Sequence, residues 1–269
     1  LWGCVHNGVQ AFPDAVQALQ NYRKSGGKVI LVTNAPRTRH SVESHLKVLG
    51  VPTDAWDAIA TSGDSARTAL YSGAVGRKVY FIGLEDDKRV FSPPKVLDTP
   101  VDIELTPLSE ADGIVCTGPF DPFADPSVNR ADFLYAKQKG MKLICFNPDI
   151  VVDRGEKREW CAGALAELST EMGGESLYFG KPHPPIYDLA RMRLSALGRK
   201  TPNDRILAIG DGIQTDIAGA MGEDIDSLFI TGGLAAEETK TSQQPDPQAL
   251  NAFLQREMQA PTYAIGFLR

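Results

Sequence analysis

The sequence predicts an α/β protein with a Rossmann-like parallel sheet and a second, smaller α/β unit inserted into it. Residues 206–209 and 29–32 are runs of four apolar residues, a pattern typical of strands covered on both faces of a parallel sheet. Small polar residues follow both runs, at the edge where such sheets bind ligands. The alternation of strands and helices begins anew at Arg77, which indicates the inserted unit.

Composition limits the classes of function. The chain of 269 residues carries 28 basic and 34 acidic residues, a net charge of −6, and has no basic stripe of the kind that binds nucleic acid. No apolar run reaches the roughly 18 residues of a membrane span. Because the four cysteines show no paired spacing, we expect no disulfide framework or zinc knuckle and a reducing, cytoplasmic location.

The chain opens on a glycine-containing loop and then a helix that begins at Pro13. An α/β domain ordinarily opens on a strand. We therefore expect a strand, and the residue that ends it, to precede Leu1.

The remaining elements follow from periodicity and from turn residues. Strands are expected at 28–35, 58–63, 77–83, 111–116, 142–146, 176–180, 206–209, 226–230 and 263–267. Helices are expected at 13–25, 38–49, 64–71, 129–140, 160–172, 184–197 and 216–222, with an irregular acidic region at 85–110. The predicted core comprises residues 1–76 and 177–269, and the predicted inserted cap comprises residues 77–176.

Two carboxylates follow the strand at 206–209. Asp211 lies between Gly210 and Gly212, which allow a sharp turn and close approach to a ligand, and Asp216 follows five residues later. A hard cation such as Mg²⁺ takes oxygen ligands and would offset the repulsion between the two acids. Alternatively, Asp211 caps the next helix and Asp216 is a surface acid.

Two other strand ends offer groups that bind phosphate. Thr33 and Asn34 end one strand, and Lys181 lies between a strand and a helix, where its ammonium could meet an anion above the sheet edge. Each also has a simpler interpretation. Thr33 and Asn34 could cap a helix, and Lys181 could be a solvated loop lysine.

Taken together, these motifs resemble the haloacid dehalogenase (HAD) superfamily of phosphohydrolases. The closer resemblance is to its subfamily IIA, which has a large α/β cap and includes NagD-like nucleotide and sugar phosphatases, pyridoxal phosphatase and 4-nitrophenylphosphatase. The motifs that carry it are Val-Thr-Asn at 32–34, Thr-Ser-Gly at 61–63, Asn-Pro-Asp at 147–149, Gly-Lys-Pro at 180–182 and Gly-Asp-Gly at 210–212 with Asp216.

The resemblance implies a Mg²⁺-dependent phosphatase that acts through an aspartyl-phosphate. The nucleophilic Asp would immediately precede Leu1, Asp211 and the Trp2 carbonyl would bind Mg²⁺, and Asp216 would orient Lys181 or a metal-bound water. The phosphoryl oxygens would be held by Thr33, Asn34 and Lys181. Asn147 and Asp149 would contact the organic part of the substrate from the cap, although an Asx-Pro turn without a ligand role explains them equally well.

One residue departs from the family pattern. Trp2 occupies the position of a second Asp that usually acts as general acid and base, a role worth typically about 10²–10⁴-fold in rate. His6 could supply the missing proton, or be simply solvated. The departure keeps two alternatives open: a dehalogenase-like hydrolase that attacks carbon, and a catalytically weak homologue that binds a phosphorylated ligand.

The expected partner is thus a small phosphorylated metabolite, such as a sugar, nucleotide or aryl phosphate. Neither nucleic acid nor a membrane is expected to bind. A homodimer formed through the cap is compatible with the sequence.

Overall fold

A computed structural model describes residues 1–154, 157–198 and 200–269 of the chain. The chain divides into two compact units, each built from more than one stretch of sequence. The first unit comprises Leu1–Thr33, Glu43–Ala60 and Lys181–Arg269, and the second comprises Asn34–Val42 and Thr61–Gly180. Each unit contains parallel strands and helices, so the predicted α/β class is confirmed.

The regular elements are as follows, in chain order. The α-helices are α1 (Pro13–Lys24), α2 (Arg39–Val48), α3 (Ser62–Tyr71), α4 (Arg130–Gln138), α5 (Ala162–Glu171), α6 (Pro184–Ser195), α7 (Ala218–Gly222) and α8 (Pro247–Glu257). The strands are β1 (Ile30–Thr33), β2 (Ala58–Thr61), β3 (Lys78–Ile82), β4 (Glu104–Leu105), β5 (Gly113–Cys116), β6 (Lys142–Cys145), β7 (Val151–Arg154), β8 (Lys157–Trp160), β9 (Glu175–Tyr178), β10 (Leu207–Gly210), β11 (Asp226–Ile230) and β12 (Tyr263–Ile265).

Local sequence explains where several helices begin. A proline at the first turn starts α1, α6 and α8, where its missing N–H costs nothing. The Thr61 side chain accepts a hydrogen bond from the Asp64 N–H at the start of α3, and Asp246 accepts one from Ala249 N–H at the start of α8. The sequence analysis misses α8, although its Asp-Pro start is a recognisable signal.

The first unit contains a parallel sheet in the order β10-β11-β12 and the separate pair β1-β2. The predicted last edge strand is confirmed, because β12 pairs with β11 and matches Leu228 with Tyr263. A small apolar cluster packs Ile217, Phe229, Ala235 and Phe253 together, and the rings of Phe229 and Phe253 stack.

A cavity of about 680 Å³ lies between β1 and β10. Residues 29–32 and residues 206–209 all line it. Successive side chains of a strand point to opposite faces, so a cavity touched by four successive residues of each strand runs along their hydrogen-bonding edges. Side chains of α1 and α6 line the rest of it. Strands β1 and β10 are therefore not paired with each other.

The cavity explains one wrong prediction. The run at 206–209 is expected to be covered on both faces, but Leu207 is 45% exposed and its two successors are only half-buried. Leu207 lines the cavity, which leaves it accessible. An apolar run indicates a strand, but it does not show that a neighbour occupies each side.

The second unit contains an uninterrupted sheet of five parallel strands in the order β4-β3-β5-β6-β9. Its large core lies on one face and is formed by fully buried side chains of β5, β6, α4 and α5, among them Ile114, Phe133, Leu143 and Leu165. The hairpin of β7 and β8 is antiparallel and follows β6. Its short, largely charged strands give little periodic signal, and the sequence analysis misses them.

Strand β9 differs from its predicted assignment. The sequence analysis returns the chain to the first unit at residues 176–180, whereas β9 pairs in parallel with β6 and matches Leu143 with Ser176. It thus belongs to the sheet of the second unit, because a strand's sequence does not identify its partner. The assignment of residues 1–76 and 177–269 to a core, and of 77–176 to a cap, otherwise stays a prediction.

Candidate active site

The carboxyl end of β10 carries the two predicted acids. Strand β10 ends at Gly210, Asp211 follows directly, and a single π-helical turn over Ile213–Ile217 contains Asp216. The wide turn brings Asp216 back over the strand end, where its Oδ2 accepts the Gly212 N–H at 3.1 Å. Such π-helical turns are frequent at functional sites.

Lys181 and Asp216 form a buried ion pair. The Lys181 Nζ lies 2.7 Å from Asp216 Oδ1, and both side chains are largely shielded from solvent. Burial alone would raise the pKa of the Asp216 carboxyl, but the Lys181 ammonium outweighs it and holds that pKa below its ordinary value. Asp216 therefore stays ionised and fixes the ammonium at the end of the strand, which rules out the interpretation of both residues as solvated surface groups.

Asp211 is a buried carboxylate without a directly bonded cation among the described residues. Its Oδ2 accepts the Leu234 N–H at 3.1 Å, and its Oδ1 is 3.6 Å from the Cys4 thiol. Burial raises the pKa of the Asp211 carboxyl, and the negative charge of Asp216 raises it further. Burial also raises the pKa of Cys4, so its thiol stays protonated and donates. Asp211 does not cap the following helix.

Two glycines allow the backbone to close around Asp211. Gly3 has φ of +76°, and a Cβ at this position would lie 1.9 Å from Asp211 Oδ2. A Cβ on Gly233 would lie 2.3 Å from the same oxygen. Any side chain at either position would displace the carboxylate, so glycine is required at both.

The donor set around Asp211 fits a hard cation such as Mg²⁺. Both carboxylate oxygens retain lone pairs, and in the part of the chain that the structure describes no hydrogen-bond donor is paired with the Trp2 carbonyl, which belongs to the peptide next to Gly3. The described residues hold no group of three His, Cys, Asp or Glu side chains able to bind a metal. Mg²⁺ needs only one or two protein carboxylates, because water and phosphate oxygens complete its octahedron.

The charges of these side chains also favour a cation. Asp211 and Asp216 carry two negative charges, and Lys181 carries one positive charge. The charges of Asp216 and Lys181 both act on the Asp211 carboxylate. An excess of negative charge repels a phosphate dianion, and a divalent cation would offset that excess.

His6 lies in the same loop as Gly3, and its imidazole does not carry a second proton at neutral pH. Burial lowers the pKa of His6 to about 4. Its Nδ1 accepts the Gly8 N–H at 3.1 Å, so the imidazole is neutral with its proton on Nε2. It is therefore a poor general acid, contrary to the alternative raised from the sequence.

The predicted substrate-binding residues fall into two groups. Thr33 ends β1 in the first unit. Asn34, Asn147 and Asp149 lie together in the second unit, where Asn34 Nδ2 donates to Asp149 Oδ1 at 2.8 Å and Asp149 N–H donates to Asn147 Oδ1 at 3.1 Å. The predicted turn at 147–149 is therefore present. The roles of all these residues in binding stay predictions.

The sequence analysis misses two contributors to the site. Cys4 reaches Asp211 through its thiol, and Leu234 reaches it through its backbone N–H. The glycine pair before Leu234, directly after β11, is a signal that a backbone approaches closely there. Residue type cannot reveal a backbone donor, because every residue except proline has a backbone N–H.

Comparison with known proteins identifies the family. Residues 1–93 match the model of haloacid dehalogenase-like hydrolases, and residues 178–253 match a HAD-hydrolase-like model. A hydrolase of the haloacid dehalogenase-like family from Brucella suis 1330 is 36% identical, with a TM-score of 0.84 over all of this chain and 93% of its own. The protein is thus a hydrolase of the α/β class. It belongs to the haloacid dehalogenase-like family.

More distant structures share the fold. A p-nitrophenyl phosphatase from Archaeoglobus fulgidus is 19% identical, with a TM-score of 0.72 over 99% of this chain and 93% of its own. A glycerol phosphate phosphatase from Mycobacterium tuberculosis in complex with calcium is 24% identical, with a TM-score of 0.68 over 99% and 71%. No protein with a curated description matches the sequence.

Two further findings bear on the sequence analysis. All four cysteines are free and buried. Within the described residues, every helix is too short or too polar to cross a membrane.

Proposed function

We propose that the protein is a Mg²⁺-dependent phosphatase that hydrolyses phosphate monoesters of small metabolites through an aspartyl-phosphate. The observation that carries this proposal is the buried Lys181–Asp216 pair beside the buried Asp211, all at the carboxyl end of β10. Buried charges are costly unless they have partners, and a divalent cation would supply Asp211 with a partner of opposite charge. The names of the two more distant phosphatases support the same reaction.

Each residue has a defined role. Lys181 offsets charge on the phosphoryl oxygens, and Asp216 keeps the ammonium in place. Asp211 and the Trp2 carbonyl would hold Mg²⁺, which when bound supplies Lewis-acid stabilisation of phosphoryl charge. Thr33, at the end of β1, offers a hydroxyl to the phosphoryl group.

The nucleophile is an Asp joined to Leu1, at the end of a strand that fills the cavity between β1 and β10. The cavity supports this assignment, because a gap along two strand edges suits an additional strand. Leu1 also lines the cavity. Leu1 is two residues from Gly3, whose backbone lies against Asp211. An Asp attached there would face the phosphate site.

The reaction proceeds in two displacements. A carboxylate oxygen of that Asp attacks phosphorus, the P–O bond to the alcohol breaks, and the alkoxide leaves with a proton taken from water. Water then attacks phosphorus, the phosphoryl–Asp bond breaks, and inorganic phosphate is released.

The test uses the full-length protein with the residues that precede Leu1. We expect it to release phosphate from p-nitrophenyl phosphate only when Mg²⁺ is present, and to carry a transient covalent phosphate visible by mass spectrometry after a rapid acid quench. Asp211→Asn should abolish the Mg²⁺ response. Halide release from a haloacid without phosphate release would support the dehalogenase alternative. Tight phosphate binding without turnover would support the weak homologue.

A further inference from the structure

Two large apolar side chains flank the buried Asp211 without being part of the core. Trp2 is 36% exposed and Leu234 is 61% exposed. Isolated exposed apolar residues are ordinary at protein surfaces, but two beside one buried carboxylate form a feature that needs a reason.

Their backbones meet at the same oxygen atom. Gly3 directly follows Trp2, and Gly233 directly precedes Leu234. Both glycines lie against Asp211 Oδ2, and the Leu234 N–H donates a hydrogen bond to the same oxygen. One Cα-to-Cα step separates each glycine from its apolar neighbour, so the Cα atoms of Trp2 and Leu234 both lie within about 8 Å of that oxygen. The two residues are thus anchored at one buried carboxylate.

The Trp2 indole is held in place rather than loose. A Cβ on Gly8 would lie 3.3 Å from Trp2 Nε1, so the nitrogen edge of the ring packs on the Gly8 backbone. The Gly8 N–H is in turn fixed by His6 Nδ1, and Gly3 N–H donates to the His6 carbonyl at 2.9 Å. These contacts fix one edge of the indole within its own loop.

Leu234 contributes to the site in two separable ways. Its N–H binds Asp211, which any residue except proline would do equally well. Its side chain is mostly exposed and so adds little to folding stability. The Leu234 backbone is held at the site by this hydrogen bond, and its exposed side chain is available to contact a bound substrate.

We propose that Trp2 and Leu234 form an apolar clamp that binds an aromatic leaving group, and that Trp2 determines specificity for aryl phosphates. This inference rests on the proposed phosphatase function and names its substrate class. A fixed indole stacks well on a flat ring, and the leucine side chain offers a second apolar surface. Neither side chain has a proton to give to an alkoxide, which fits a phenolate, since a phenolate leaves without one.

The test separates ring recognition from leaving-group acidity. Phenyl phosphate and hexafluoroisopropyl phosphate have leaving groups of similar acidity, but only phenyl phosphate has an aromatic ring. In the full-length protein with Mg²⁺, Trp2→Leu should lower kcat/KM for phenyl phosphate about 3- to 10-fold more than kcat/KM for the fluorinated ester. Trp2→Phe should restore most of the loss. Equal effects on both esters would overturn the proposal.

Leu234→Ala provides a second variant that is expected to fold, because the side chain is exposed and the N–H remains. It should lower kcat/KM for phenyl phosphate about 2- to 5-fold through KM rather than kcat. Val48→Ala is the matched control, since Val48 is an 83% exposed apolar residue of the same unit. A loss in Val48→Ala as large as that in Leu234→Ala would contradict the role of the clamp.

A binding experiment keeps the inference testable if catalysis fails. With Mg²⁺ present, calorimetry should show benzylphosphonate binding more tightly than ethylphosphonate, and Trp2→Leu should remove most of that preference. Phosphonates need no turnover, so a preserved ring preference with no hydrolysis would overturn the proposed function alone. Equal affinities for the two phosphonates would overturn the clamp.

Discussion

The parallel sheets of the two units carry different polar groups at the carboxyl ends of their strands. In the second unit the sheet is continuous over five strands, and the groups described at its carboxyl edge include the Asn34–Asp149 hydrogen bond and Asn147. In the first unit the carboxyl end of β10 carries the buried Asp211 and the Lys181–Asp216 ion pair.

This difference indicates where reactive chemistry can be kept. Buried charges that do not balance are costly, so they persist where a bound ligand compensates them. We therefore expect substitutions at the site in the first unit to change phosphate binding and turnover. Substitutions in the second unit should change the free energy of unfolding or the preference among substrates.

The largest expected effect is that of Lys181→Ala. Removing the ammonium should weaken binding of vanadate by about 2–5 kcal/mol, because one charge partner of a partly desolvated anion is lost. Asn147→Ala is the comparison from the second unit and should cost far less. Calorimetric titration with vanadate measures both. Equal losses in the two variants would remove the contrast between the units.

Core substitutions test the same contrast through stability. Leu165→Ala, in the continuous core of the second unit, should cost about 2–5 kcal/mol in the free energy of unfolding. Leu207→Ala should cost less than about 1 kcal/mol in the 269-residue chain, where Leu207 is exposed to the cavity.

Leu207→Ala is more informative when it is measured both in the 269-residue chain and in the full-length protein. In the full-length protein a strand that fills the cavity would cover Leu207, and the cost of Leu207→Ala should rise towards that of a core leucine. Chemical denaturation of both lengths measures it. The same small cost in both would mean that nothing fills the cavity.

Much of this architecture can be predicted from the sequence because it depends on local pattern. Apolar runs, glycine turns and proline starts indicate most strands and helices, and the glycine loop around Asp211 indicates the carboxylates at a strand end. The Lys181–Asp216 contact also follows from the family motifs and is present at 2.7 Å.

What the sequence does not predict depends on partners in space. Strand β9 pairs with β6 rather than with a strand of the first unit, and nothing in residues 175–178 identifies that neighbour. The thiol of Cys4 and the N–H of Leu234 reach Asp211 because two distant loops fold over it. The burial of His6 reverses the role that its ordinary pKa would suggest.

Trp2→Asp should give a smaller effect that sharpens the account of the first unit. Introducing a carboxyl at the position of the usual acid should raise turnover of an alkyl phosphate such as glycerol phosphate by up to about 10²-fold, and narrow its gap to p-nitrophenyl phosphate. The measurement is kcat/KM for both esters at equal Mg²⁺. A native enzyme indifferent to the leaving group would mean that another residue donates the proton.

The smallest expected effects concern two acids whose pKa values shift in opposite directions. Burial raises the pKa of Asp57, but hydrogen bonds from Arg23 and the Val29 N–H outweigh it and leave the pKa lowered. Burial raises the pKa of Asp87, and the Thr117 hydroxyl offsets this only in part.

The two shifts predict opposite pH dependence. Asp57 stabilises the fold above its unfolded pKa of about 3.9 and loses this contribution as pH falls through its folded pKa, so Asp57→Asn should destabilise at pH 7 and less at low pH. Asp87 contributes most below its unfolded pKa and loses that as pH rises, so Asp87→Asn should be neutral or stabilising at pH 7. Denaturation at several pH values tests both, and effects of the same sign at pH 7 would contradict them.

The central claim is that the excess of negative charge around Asp211 makes phosphate binding depend on a divalent cation. The most direct measurement is calorimetric titration of the full-length protein with inorganic phosphate, with and without saturating Mg²⁺, in the native protein and in Asp211→Asn. We expect Mg²⁺ to tighten phosphate binding at least about 10-fold in the native protein, phosphate to tighten Mg²⁺ binding by the same factor, and neither effect in the variant. Equal phosphate affinity with and without Mg²⁺ would contradict the account.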